Sequence, residues 1–290
     1  MSTESDRQFR TVVGDMSFTE GPRWHDGRLW FSDFYTHQVI SVRESGDDVR
    51  VEATVEHQPS GLGWLPDGRL LVVSALDKTL LVRQPDGSLD VVADLSGMAQ
   101  GQLNDIAVDA SGRAYIGNFG FDLMGGATPA NADVIRVDPD GSVSVAAAGL
   151  AFPNGSVITP DGATMIIAET MGNRLAAFDV DGDGNLSNRR TWASFGPEPD
   201  GTDVGSVLGQ LVIAPDGICL DAEGAIWLAD AVGGRAVRVL ADGSIVDEVS
   251  PGTGVFACML GGEDGTTLFL CTAPDFDSHA RSAAREAAVV

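Results

Sequence analysis

Positive charge is scarce in this chain. Lys and Arg total 18 of 290 residues against 42 Asp and Glu, which gives a formal net charge of −24. A surface of that sign repels phosphate backbones and anionic headgroups, so neither nucleic acid nor membrane is an expected partner. No apolar run is long enough to span a bilayer. The opening residues Met1 to Arg7 place no apolar stretch behind a basic start. No secretory signal is therefore expected, and the cytoplasm is the expected compartment. Cysteine is limited to Cys219, Cys258 and Cys271, an odd number set in apolar runs. They read as buried thiols rather than a disulfide framework. Histidine is as rare, with His25, His37, His57 and His279 in turn-like or loop-like stretches, and no G-x-S-x-G elbow occurs. Ser- and His-based hydrolase chemistry is thereby set aside. The stretch 179–184 (DVDGDG) lacks the closing Glu and flanking helices of an EF-hand and reads as a hairpin turn.

Glycine, by contrast, is abundant at 36 residues, and 43% hydrophobic residues rule out an acidic disordered tail. The glycines punctuate a repeat of apolar run, Asp-Gly-type turn and apolar run. It appears as WHDGRLWFSD (24–33), WLPDGRLLVVS (64–74), VDASGRAYIGN (108–118), ITPDGATMIIAE (158–169), LDAEGAIWLAD (220–230) and LGGEDGTTLFLC (260–271). Such turns need the positive φ that glycine accepts, and alternating flanks mark hairpins. The turn glycines Gly27, Gly68, Gly112, Gly162, Gly224 and Gly265 are 41, 44, 50, 62 and 41 residues apart. That interval, with second turns at Gly46, Gly87, Gly141, Gly184 and Gly243, matches four strands per repeat in a propeller. The expected fold is all-β: one six-bladed β-propeller domain over residues 1–290, with four-stranded blades around a central channel. No helical period is expected beside so many breakers. The last repeat lacks a clear outer hairpin, and Phe9–Val13 is the expected closing strand.

One register of the repeat is polar. Upstream of each turn the same column holds Glu20, Ser60, Asn104, Asn154, Asp216 and Ala257. In a radial repeat these positions meet near the axis. Two carboxylates and two amide oxygens, with no thiol or imidazole, form a hard-oxygen site for one divalent metal ion. Ca²⁺ fits best by ligand type, with Zn²⁺, Mn²⁺ and Mg²⁺ as alternatives. Two carboxylates across a channel repel unless a cation or a shared proton lies between them.

The segments FTEGPRW (18–24), LNDIAVDASGRAYIGN (103–118), FPNGSVITPDG (152–162) and APDGICLDAEGAIWLAD (214–230) closely resemble the senescence marker protein (regucalcin), gluconolactonase and luciferin-regenerating-enzyme family. The resemblance covers essentially the whole chain. It implies a six-bladed propeller with one divalent cation in its channel and a metal-dependent hydrolase of lactones. The family's metal ligands fall on Glu20, Asn154 and Asp216. Its substrate-facing Asn falls on Asn104, which related phosphotriesterase-like propellers use as a fourth ligand. Both roles stay open for Asn104. The resemblance also implies Asp216 as ligand and general base at once, with a ligand-only role as the alternative.

Where the chain departs from that pattern, substrate choice is at issue. Sugar-lactone members place Arg two residues before the Asn, and this chain has Gln102. The nearest match to their nearby Glu is Asp122. Around it lie Phe119, Phe121, Leu123 and Met124, so the expected small-molecule substrate is a lactone less polar than a sugar lactone. The longer fourth interval places an excess loop over residues 195–211, where recognition concentrates. The competing readings are a calcium-binding propeller without turnover, and another reaction on the same site, such as organophosphate hydrolysis or a lyase or isomerase step.

Overall fold

The computed structural model of the chain describes residues 8–290. The stretch Met1 to Arg7, on which the reading of no secretory signal rests, lies outside the described residues. Twenty-four strands form six four-stranded antiparallel sheets. The innermost strands are Thr19–His25, Pro59–Trp64, Leu103–Val108, Pro153–Ile158, Pro215–Leu220 and Gly254–Gly261, which define blades one to six. Each inner strand touches those of both neighbouring blades, so the ring closes as a six-bladed β-propeller. All six hairpin glycines and all five second-turn glycines hold positive φ, as the repeat requires.

Blades pack face to face, which explains the near-continuous apolar runs. Alternate side chains of one strand point to opposite neighbours. Leu71 and Val73 join the core shared with blade three, while Leu70 and Val72 join the core shared with blade one. The other four junctions repeat the arrangement. Cys219, Cys258 and Cys271 are buried and free, the first two packing between blades five and six.

Three expectations are corrected. Blade six is closed by Val13–Met16 rather than by residues 9–13, and its third strand is the C-terminal Ala287–Val289. Two short helices occur, Val204–Leu208 and Ser278–Ala283, each too brief to leave a helical period. The first lies within the loop excess expected at 195–211. Its N-terminus is capped by Asp203, which accepts from the Ser206 N–H at 2.9 Å. The third correction concerns the axial column. In blade six the register shift falls between Val255 and Ala257. Phe256, not Ala257, therefore takes the ring position, and Ala257 packs against Gly217. Among the described residues, no helix is long and apolar enough to cross a membrane.

Candidate functional site

Each inner strand carries a β-bulge at the ring position: Glu20/Arg23, Pro59/Leu62, Leu103/Ile106, Pro153/Ser156, Pro215/Ile218 and Val255/Ala257. A bulge re-aims the extra residue, here toward the axis. The residue after the bulge is glycine wherever neighbouring backbones nearly touch. A Cβ on Gly155 would lie 2.6 Å from the Asp216 carbonyl oxygen, and one on Gly217 would lie 2.4 Å from the Ala257 Cβ. Asp105 holds this place in blade three and Ala257 in blade six.

A second polar set fixes the loops leading into the inner strands. Asp33, Asn118, Glu169 and Asp230 end the second strands of their blades and are fully buried. Asp33 Oδ1 accepts from the Phe18 N–H at 2.9 Å, and Asn118 Oδ1 accepts from Gly101 and Gly120. Glu169 Oε2 accepts from Ala151 at 2.8 Å, and Asp230 Oδ1 accepts from Ala214 at 3.1 Å. Four loops are thereby pinned by buried acceptors, so the ring presents its side chains from a rigid frame. Sequence reasoning missed this set, although a polar residue closes five of the six quoted repeat segments and supplies the signal.

Glu20, Asn104, Asn154, Asp216 and Phe256 line one cavity of about 300 Å³ at an end of the channel. Ser60 is buried and is not among the lining residues. Asn104, Asn154 and Asp216 are buried, and Glu20 is half-buried, facing the cavity. The orientation of Asn154 follows from its partners. Thr170 Oγ1 donates to the Pro215 carbonyl at 2.8 Å, so it can only accept from Asn154, and Nδ2 donates to it at 3.1 Å. That leaves Asn154 Oδ1 as a free acceptor. The Asn104 Nδ2 is buried without a hydrogen-bond partner. Such an orphaned donor aimed at a cavity calls for a ligand.

The electrostatics are strained by like charge. Burial pushes the Glu20 carboxyl up to about 8, Asp105 adds to the rise, and the Gly21 N–H and Arg23 oppose it. Burial, then Glu20 and Asp105, raise Asp216 well above the carboxylate range. The nearest cation is already engaged: Arg23 Nη2 pairs with Asp105 Oδ1 at 2.6 Å and donates to the Ile106 carbonyl at 2.7 Å. Two carboxylates that burial and like charge disfavour ionising, with no free counter-charge and beside two amides, fit a divalent cation by donor chemistry. Among the described residues no three of His, Cys, Asp and Glu cluster as ligands. The fit therefore rests on the mixed carboxylate and amide set.

A pH dependence follows. Glu20 has an ordinary value of 4.5 when unfolded and about 8 when folded, so the folded chain holds a proton that the unfolded chain releases. The stabilising contribution is full below 4.5 and lost as pH rises through about 8. Chelated protein should show a falling Tm across that window, and Glu20→Gln should flatten the slope. A Tm equally pH-independent in both proteins would contradict this.

Most of the remaining wall is apolar, with Gln58, Thr170 and Ser278 as further polar lining. Phe119 stacks on Phe152 at 4.5 Å, and Phe18 meets Phe256 at 4.9 Å. All four line the cavity with Phe34, Leu123, Met124 and Met171. Gln102 lines it too, and its carbonyl accepts from the Phe119 N–H at 2.9 Å. Two of the substrate-binding candidates lie elsewhere. Phe121 is buried behind the wall, edge-on to Phe152 at 6.2 Å. Asp122 is exposed and caps its own loop through Gly125 N–H at 2.8 Å. None of the four histidines lines the cavity, and neither does any Lys or Arg.

The family described as SMP-30/Gluconolactonase/LRE-like region matches residues 18–274. The pentonolactonase XacC of Haloferax volcanii is 27% identical over 269 residues, covering 91% of this chain and 84% of that protein. A gluconolactonase of Zymomonas mobilis is 26% identical over 291 residues, covering 89% and 77%. Among solved structures, the gluconolactonase XC5397 of Xanthomonas campestris superposes with a TM-score of 0.73 at 25% identity, covering 91% of this chain and 86% of that one.

Proposed function

The chain belongs to the SMP-30/gluconolactonase/LRE-like family, and from that premise we propose that it hydrolyses lactones with one divalent cation held by Glu20, Asn154 and Asp216. The observation that carries the reading is the pairing of half-buried Glu20 with buried Asp216, which has no free cation opposite it while the Asn104 donor stands unpartnered beside it. The oxygen-only donor set favours Ca²⁺. When bound, the cation supplies Lewis-acid polarisation of the ester carbonyl.

The chain's own groups then have separable roles. Asp216 accepts the proton of the attacking water as its oxygen bonds to the carbonyl carbon, and the ring oxygen leaves as an alcohol, taking a proton back. Asp216 can do so only when ionised, which its burial opposes unless a cation shares the site. Asn104 Nδ2, which has no partner within the chain, donates in this reading to the substrate oxygen that gains charge. Thr170 holds the Asn154 amide with its oxygen turned to the site. Phe18, Phe119, Phe152 and Phe256 exclude water and offer no partner to the hydroxyls of a sugar lactone. The expected substrates are uncharged small molecules less polar than aldonolactones.

Thr170→Val removes the hydroxyl that orients Asn154 at nearly constant volume. Divalent-ion affinity measured by calorimetry should fall about tenfold, the scale of an outer-sphere defect. Unchanged affinity would show that Asn154 needs no such support. The function itself is tested on a chemically diverse lactone panel with chelated and Ca²⁺-restored protein. The reading expects turnover only after restoration. Lack of hydrolysis of every lactone with the ion bound would contradict it.

A further inference from the structure

Beyond the cavity, the connections at this end of the propeller place apolar side chains around its mouth. Tyr35, Leu76, Met124, Val232 and Phe276 come from blades one, two, three, five and six, Leu208 comes from the helix that follows blade four, and all line the same opening. Four of them are left strongly exposed: Leu76 at 47%, Met124 at 44%, Val232 at 43% and Phe276 at 39%. Large apolar side chains scattered singly need no explanation, but a ring of them continuous with an apolar cavity marks a binding surface. The cavity of about 300 Å³ sits at the lower end of the range for small-molecule sites. A ligand whose reacting end is at the axis therefore continues onto the rim if it is any longer than the pocket.

The chemistry of that ligand is narrowed by charge. No Lys, Arg or His lines the cavity, while two carboxylates do, and the whole chain carries −24. An anionic tail would be repelled, and a polyhydroxylated one would leave most of its hydroxyls unpaired, since Leu, Met, Val and Phe outnumber Tyr35, Gln58 and Ser278 there. The rim is mostly flexible aliphatic rather than flat aromatic, which suits a chain that bends over it. We infer that the substrates are amphiphilic lactones carrying an uncharged linear alkyl tail, with the ring at the Glu20–Asn154–Asp216 site and the tail running up the Phe119–Phe152 wall onto the Leu76, Met124, Val232 and Phe276 rim. This rests on reading the cavity as a lactone site. It adds that tail length, and not only low polarity, sets the rate.

The experiment is a homologous series of γ-lactones from methyl to decyl, with the matching alkyl γ-lactams as non-hydrolysable binding probes. Each buried methylene should raise kcat/KM and tighten lactam binding by up to about fourfold, the fold-change equivalent of about 0.8 kcal/mol. The rise should continue until the tail has crossed the rim and then level off. A triple variant, Met124→Ser with Val232→Ser and Phe276→Ser, changes exposed positions. It should flatten the long-chain part of the slope, lowering the decyl-to-butyl ratio at least tenfold. Dependence on length that is flat in the wild type, or a slope unchanged in the variant, would overturn the inference. So would a variant that changes only self-association, since the rim would then be an interface between copies. Chain-length-dependent lactam binding without hydrolysis of any lactone would overturn the lactonase reading and leave the tail site standing.

Discussion

Asp216→Asn should lower kcat/KM on the best lactone by about 10²- to 10⁴-fold, the range a positioned general base contributes. The substitution keeps one side-chain oxygen and nearly the same volume, but it removes the charge and the basicity. The structure separates loss of function from loss of fold. Asp216 is buried with Glu20 and Asp105 nearby, all of one sign, so its carboxylate is a burden on the metal-free protein. A neutral amide there should leave the Tm of chelated protein unchanged or higher, while the stabilisation gained on adding Ca²⁺ shrinks. Activity near wild type under saturating Ca²⁺ would rule Asp216 out as the base. Ser60→Ala is the natural control, because Ser60 shares the register but is not among the residues lining the cavity.

The second large effect concerns selectivity. Wild type should favour an alkyl-substituted lactone over gluconolactone by about 10- to 100-fold in kcat/KM. Each sugar hydroxyl buried without a partner costs about 1–3 kcal/mol, so two such hydroxyls are enough. Gln102 is the position from which a donor can reach them. It lines the cavity, and its carbonyl is tied to Phe119, so the side chain and the aromatic wall share one loop frame. Gln102→Arg adds a bidentate cationic donor where none exists. The ratio should move toward the sugar by about tenfold. A wild type that prefers gluconolactone would show that the apolar wall does not set selectivity and that Gln102 suffices for sugar hydroxyls.

What could be read in advance follows the symmetry of the fold. The hairpins repeat because every blade needs the same positive-φ turn, so Gly68 or Gly224 could be recognised from its neighbours alone. The axial residues Glu20, Asn104, Asn154 and Asp216 were legible for the same reason, being polar at one register of an otherwise apolar strand. Blade six escaped because its bulge sits at Phe256, and a bulge leaves no mark in composition. Its closing strand was expected from the N-terminal end but a few residues early, and its third strand escaped because Ala287–Val289 pairs with Val13–Met16 across almost the whole chain, where no local pattern fixes the partner. The cavity wall was legible only in part. Phe119 was found through its loop, but Phe121, two residues on, turns away. Phe276 and Leu208 come from non-repeating segments whose side chains meet only in the closed ring. Thr170 was invisible as well, since its role depends on accepting from Asn154 while donating to Pro215.

The central claim is a single cation at the axial ring, and the most direct measurement is a Ca²⁺ titration of exhaustively chelated protein, followed by metal content and by Tm. The account predicts one ion per chain. At about 100 times Kd it predicts a gain of about 2.7 kcal/mol, or about 5 °C or more in Tm. Glu20→Gln and Asp216→Asn should each weaken binding by about tenfold or more, because each removes one of the two charges that hold the ion. Chelated protein that takes up no divalent ion and melts unchanged at saturating Ca²⁺ would contradict the account.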